Sequence, residues 1–174
     1  CFYGNKDIIQ TLLDYDKKIL NSLNNQDCNG YHILAKYNAK LLDYFIKKYK
    51  PFDIHFTDKN GHNILVTYIL NNKLEKTILD SLKNAGCSLL KSNRINDISF
   101  ILNKDYKLLD EVTKYFKFDV NKLHLDNPIS FMSLITNNLD MLKILVKYKI
   151  NLNLNDKRID DLLSLSIVRK SKEF

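Results

Sequence analysis

Apolar residues return along this chain at helical spacing. Ile9, Leu12 and Leu13 stand at i, i+3 and i+4, as do Leu42, Phe45 and Ile46, and again Leu142, Leu145 and Val146. Leu79 with Leu82, and Leu109 with Val112 and Phe116, follow the same rule. Side chains three or four residues apart share one side of an α-helix, so each set predicts a helix with one apolar face. Between the stripes stand polar-apolar-polar triplets: Ser22-Leu23-Asn24, Asp53-Ile54-His55, Asp119-Val120-Asn121 and Asn151-Leu152-Asn153, with Ser88-Leu89-Leu90 broken at its last place. Pro and Gly number only 2 and 4, too few for the frequent turns of a β-sandwich. An all-α fold is expected.

Stripes and triplets recur in register. Asp27-Cys28-Asn29-Gly30 aligns with Asp58-Lys59-Asn60-Gly61 at i+31, and Ile98-Ser99-Phe100 aligns with Ile129-Ser130-Phe131 at the same interval. One frame then places repeat starts at Asp27, Asp58, Asn93, His124 and Asp156. Fourth positions are Gly30, Gly61, Asn96, Asn127 and Ile159. Gly and Asn tolerate a left-handed backbone, so a positive φ is expected at Gly30 and Gly61. Eighth positions are Leu34, Leu65, Phe100, Phe131 and Leu163, all large and apolar. The frame divides a single repeat domain, 1–174, into a partial repeat 1–26, repeats 27–57, 58–92, 93–123 and 124–155, and a partial C-terminal repeat or cap 156–174. From the eighth position to the next apolar stripe, the step is i+8 from Leu34 to Leu42 and i+9 from Phe100 to Leu109, against i+14 from Leu65 to Leu79. Stunted first helices are therefore expected in the repeats that start at Asp27 and Asn93. The N-terminal end lacks the polar cap that repeat arrays need, so a preceding repeat is expected.

A turn, a short helix, a second helix and a strand-like link, renewed at i+31 to i+35, resembles the ankyrin repeat, whose period is about 33 residues. Ala85-Gly86-Cys87-Ser88-Leu89 stands where that family has Gly-Ala-Asp-Val, and Asp119-Val120-Asn121 matches its Asp-Val-Asn. In this frame no repeat contains the family's Thr-Pro-Leu-His. The resemblance covers essentially the whole chain. It implies an ankyrin-type helix-turn-helix repeat solenoid with short hairpin-like links. It also implies a non-catalytic protein-protein interaction module or scaffold, part of a longer protein, whose partner is another protein. In that family partners bind turn tips and first helices. By this resemblance the contact residues are Cys28, Asn29, Tyr31, Lys59, Asn60, His62, Arg94, Ile95, Asp97, Leu125, Asp126, Lys157, Arg158 and Asp160. Tyr31 and Arg158 are the residue types best suited to anchor a partner. One alternative is a structural segment packed inside a larger enzyme or assembly.

Charge adds a further alternative. The net charge is +7, which brings nucleic acid or an acidic membrane surface to mind. Two features weigh against nucleic acid. Only Arg94, Arg158 and Arg169 are arginines, and arginine is the residue that forks onto phosphate and guanine. The charge is also spread evenly along the chain. Lysines do recur at second-helix ends: Lys17-Lys18, Lys47-Lys48-Lys50, Lys114 with Lys117, and Lys147 with Lys149. They suit helix C-termini, but stacking would align them into a basic ridge that could meet an acidic membrane. Cys1, Cys28 and Cys87 are far apart and odd in number, which fits free thiols in a reducing, cytoplasmic compartment.

Catalytic chemistry finds little footing. Cys28 and His32 are close enough to suggest a thiol and its base, but no third orienting group is evident. No Cys and His cluster has zinc spacing. Asn151-Leu152-Asn153-Leu154-Asn155-Asp156 superficially resembles a calcium loop, yet its sixth residue is Asp156 rather than Gly and its twelfth is Leu162 rather than Glu. The glycines are isolated, so no phosphate loop is formed. No cofactor and no metal are expected.

Overall fold

The computed structural model describes residues 5–49, 53–89, 105–117 and 139–149. They belong to two compact units, Cys1–Asp97 and Ile98–Phe174. Among the described residues every regular element is a helix, as the stripes predict. The first unit holds α1 (Lys6–Tyr15), a 3₁₀ turn (Lys17–Asn21), α2 (Gly30–Tyr37), α3 (Ala39–Lys48), α4 (Ile64–Asn71) and α5 (Lys76–Asn84). The second holds α6 (Tyr106–Phe116) and α7 (Leu139–Lys147).

Asparagine starts most of the helices in the first unit. Asn5, Asn29, Asn38 and Asn63 are the N-caps of α1, α2, α3 and α4, each accepting a backbone N–H of the first turn. Such a cap satisfies a donor that the helix cannot, and is worth about 1 kcal/mol over Ala. Asn38 has a double role: its N–H closes α2 on Leu34 O at 2.8 Å and its side chain opens α3 on Leu41 N at 3.1 Å. A single residue thus turns the chain from one helix to the next.

The first unit is built from helices laid side by side. α2 packs against α3 and α4, and α3 packs against α5. Leu34 and Ala35 of α2 are buried with Ile64, Leu65, Tyr68 and Ile69 of α4; Leu42 and Phe45 of α3 are buried, as are Leu79 and Leu82 of α5. Polar side chains tie neighbours together. Asn72 donates to Ala35 O at 2.6 Å, and the Ser81 hydroxyl donates to the Asp43 carboxylate.

Two expectations need correction. Gly30 does not have a positive φ; it is the first residue of α2, and the left-handed residue of that turn is Asp27, with φ 54°. Gly61 is left-handed as expected, with φ 79°. Nor is α2 stunted: α2 and α4 each have 8 residues. The unequal apolar spacing has another source. A single residue joins α2 to α3, whereas residues 72–75 join α4 to α5. That longer link is held by Tyr68, whose hydroxyl donates to Lys73 O at 3.0 Å and accepts Glu75 N–H at 2.8 Å. The repeat starts Asn93, His124 and Asp156 lie outside the described residues.

In the second unit α6 packs on α7, with Leu109 and Val112 buried. Asp110 joins the two helices. Its carboxylate meets Lys114 at 2.7 Å and Lys147 at 2.6 Å and accepts from the Tyr148 hydroxyl at 2.7 Å. Those donors hold Asp110 well below the usual carboxylate range.

Candidate functional site

Two loops ahead of the first helices have the same construction. In one, the Asn24 side-chain oxygen accepts Gln26 N at 2.9 Å and Cys28 N at 3.0 Å, while Asn24 N donates to Cys28 O at 3.0 Å. In the other, Asp58 Oδ1 accepts Asn60 N and His62 N, both at 2.9 Å, while Asp58 N donates to His62 O at 3.0 Å. A short Asn or Asp side chain that bonds its own backbone two residues on is the usual way to fix such a turn. The left-handed residues, Asp27 and Gly61, follow three places later, and the caps Asn29 and Asn63 five places later. The loops lie against each other, with Lys59 N donating to Gln26 O at 3.0 Å.

These loops therefore stand in register at i+34, Asn24 on Asp58, and not at the i+31 that aligns Asp27 with Asp58. The Asp-x-Asn-Gly coincidence misleads because Asp, Asn and Gly all serve in turns. Its consequence is a three-residue displacement of the loop tips. Lys59 and Asn60 are exposed at a tip, as expected. Their counterparts are Asn25 and Gln26, both exposed, which the alignment passes over. A usable signal was present: Asn or Asp followed five residues later by Asn.

The other expected contact residues fall elsewhere. Tyr31 is only 1% exposed. Its hydroxyl donates to Tyr49 O at 2.6 Å, and burial pushes its pKa up to about 12. Asn29 is buried as a cap. Neither presents a surface to a partner, because the true register places both beyond the tip. Cys28 and His62 are half-buried. Arg94, Ile95, Asp97, Leu125, Asp126, Lys157, Arg158 and Asp160 lie outside the described residues. On α2, Lys36 and Tyr37 are exposed, with the Lys36 amine 5.1 Å from the Tyr37 ring centre.

Beneath the tips lies a buried polar network. His32 Nδ1 is 2.8 Å from Asn29 Oδ1 and its Nε2 is 3.0 Å from His62 O, so it spans the two loops. Two oxygen neighbours would favour a charged ring, but burial outweighs them and lowers the His32 pKa. A neutral ring donates through one nitrogen only. Phe56 packs edge-on to it, at 6.1 Å and 79°. Cys28 Sγ is 4.0 Å from Asp58 Oδ2. Burial and then the Asp58 charge raise the thiol pKa, the opposite of what an activated nucleophile needs. The ring nitrogens of His32 are engaged with Asn29 and His62, so Cys28 and His32 do not form a thiol–base pair.

Four lysines of the expected ridge are engaged within the molecule. Lys47 pairs with Asp43 at 2.8 Å, and Lys114 and Lys147 share Asp110. Lys48 donates to Gln10 at 2.7 Å and lies over the Tyr44 and Tyr49 rings. Among the described residues no group of three or more His, Cys, Asp or Glu could hold a metal ion, and no helix is long and apolar enough to cross a membrane. No protein-family model matches the chain, and no curated protein matches it.

Proposed function

We propose that this chain is a stretch of ankyrin-type repeats that holds another protein, without catalysis, on its loop tips and first helices. The observation that carries this reading is the pair of loops that begin at Asn24 and Asp58, with the same turn bonds, the same capping asparagine and a direct bond between them. On that register Asn29-Gly30-Tyr31-His32 stands in the place of the family's Thr-Pro-Leu-His: a cap, a first helical residue, a buried residue and a histidine. The contact surface is then Asn25, Gln26, Lys59 and Asn60 at the tips, with Lys36 and Tyr37 exposed on the first helix α2. An extended row of tips on a rigid stack suits a macromolecular partner better than a small ligand.

Proximity labelling followed by mass spectrometry identifies the partner, and variants locate its site. Gln26→Arg with Asn60→Arg should lower affinity at least tenfold while the melting temperature stays constant. Changing Lys47, Lys48 and Lys50 to Glu should leave binding intact. The reverse pattern, with binding that collapses as salt rises, transfers the function to the lysine ridge and to an acidic membrane or nucleic acid. One observation favours the structural-segment reading: Ile8, Leu12, Tyr15, Ile19 and Leu23 are all exposed.

A further inference from the structure

Asn-Gly occurs twice in the chain, at Asn29-Gly30 and Asn60-Gly61, and the fold gives the two copies opposite settings. The same reaction is open to both by composition. An asparagine followed by glycine is prone to cyclise, because glycine has no Cβ to shield its nitrogen or to restrict its backbone. The glycine nitrogen attacks Cγ, so that an N–Cγ bond forms and the Cγ–Nδ2 bond breaks. Ammonia leaves with the proton of the glycine N–H. Water then opens the five-membered imide at either carbonyl. The product is aspartate, or isoaspartate in which the main chain runs through Cβ. Water is the only co-reactant.

Asn29 is held away from this reaction. It is 4% exposed. Its Oδ1 accepts His32 N at 3.1 Å as the cap of α2 and lies 2.8 Å from His32 Nδ1. Gly30 is the first residue of α2 and is closely packed on Leu20. Turning Cγ onto Gly30 N would strip α2 of its cap and leave a buried donor unmet.

Asn60 has none of these restraints. It is exposed at a loop tip. Its N–H is held by Asp58 Oδ1 at 2.9 Å, but its side chain makes no hydrogen bond among the described residues. Reaction there gives up one turn bond, from Gly61 N to Asp58 O at 2.8 Å. Gly61 is buried, yet the attack comes from the adjoining side chain, and opening that bond exposes its N–H to hydroxide.

We propose that Asn60-Gly61 is a self-modification site, where the folded chain converts its tip amide to a carboxylate, mainly as isoaspartate, while Asn29-Gly30 is spared. The product sets a negative charge beside Lys59, where the residues exposed at the two tips are otherwise amides and one lysine. Isoaspartate also adds one backbone atom to the turn that Asp58 fixes. The reaction stands apart from the proposed function; its consequence for a partner, a charge set among the contact residues, rests on that reading.

The test ages the full chain in mildly alkaline buffer and maps its peptides by mass spectrometry with electron-transfer fragmentation, which tells isoaspartate from aspartate. The peptide with Asn60 should gain one mass unit and divide into the two isomers, at least tenfold faster than the peptide with Asn29. In urea the two rates should converge. Asn60→Gln lacks the five-membered route, so it should abolish the gain there and leave both the circular dichroism and the slow rate at Asn29 unchanged. Equal rates in the folded chain overturn the proposal, because the fold then makes no distinction. So does an Asn60 that stays intact in the folded chain but converts in urea, because the turn then protects it. These readouts need no partner. A chain modified at Asn60 that still binds as the fresh chain does counts against tip binding alone, which keeps the two failures apart.

Discussion

Gly30→Ala is the sharpest test of the loop register. In the frame that pairs Asp27 with Asp58, Gly30 is needed for a left-handed backbone; in the structure it is needed for space. A Cβ at Gly30 would stand 2.8 Å from Leu20 Cδ2 and 3.1 Å from both Leu20 Cα and Leu20 O. Leu20 is itself buried, at 2% exposure, so its side chain has little room to retreat. Overpacking of this kind costs about 1–3 kcal/mol, while Ala in place of a helical Gly returns up to about 1 kcal/mol. The net expectation is destabilisation by about 1–2 kcal/mol, read from urea unfolding followed by far-UV circular dichroism. Leu20→Ala provides the control. It removes the closest colliding atom, so the penalty of Gly30→Ala should shrink by about 1 kcal/mol in that background. A penalty that ignores the Leu20 side chain, additive within about 0.5 kcal/mol, refutes the collision with Leu20 Cδ2 as its source.

Three further outcomes are expected. Gly61→Val should cost more than about 1 kcal/mol by thermal melting, because Val resists the positive φ at that residue. Tyr31→Phe removes the hydroxyl bonded to Tyr49 O and should lower stability by about 1 kcal/mol, with partner affinity unchanged. Burial holds the His32 and His62 pKa values below the ordinary 6.5, so the unfolded chain takes up protons that the folded chain refuses. Their contribution to stability is therefore full above about pH 6.5 and lost as pH falls through the lowered folded values. Melting temperatures of a His32→Asn, His62→Asn variant across pH 4–8 should show a flatter slope than the parent.

The second helices were the most legible part of the sequence. Leu42, Phe45 and Ile46 are all buried, because an amphipathic stripe records which side of a helix meets the core. The same stripe on α1 misplaced Leu12, which is exposed, since spacing alone does not separate a face toward the core from a flank beside it. Loop register was harder to read. Asn24 and Asp58 act through side-chain bonds to their own backbone, and Asp27 takes a conformation usually left to Gly. Identical letters at a shorter spacing outweighed residues equivalent in chemistry. That error carried Tyr31 to a tip it does not occupy and left Asn25 and Gln26 unnoticed.

The links between paired helices bear on how such a chain can change length. Among first helices, α4 begins at i+34 from the start of α2; among second helices, α5 begins at i+37 from the start of α3. The difference lies wholly in the link at 72–75. Insertions there are absorbed in a surface turn while both helices keep their neighbours. At Asn38 the same residue ends one helix and begins the next, so one added residue would strip a cap from one of them. Length variation among descendants of this sequence should gather between α4 and α5 and spare the junction at Asn38.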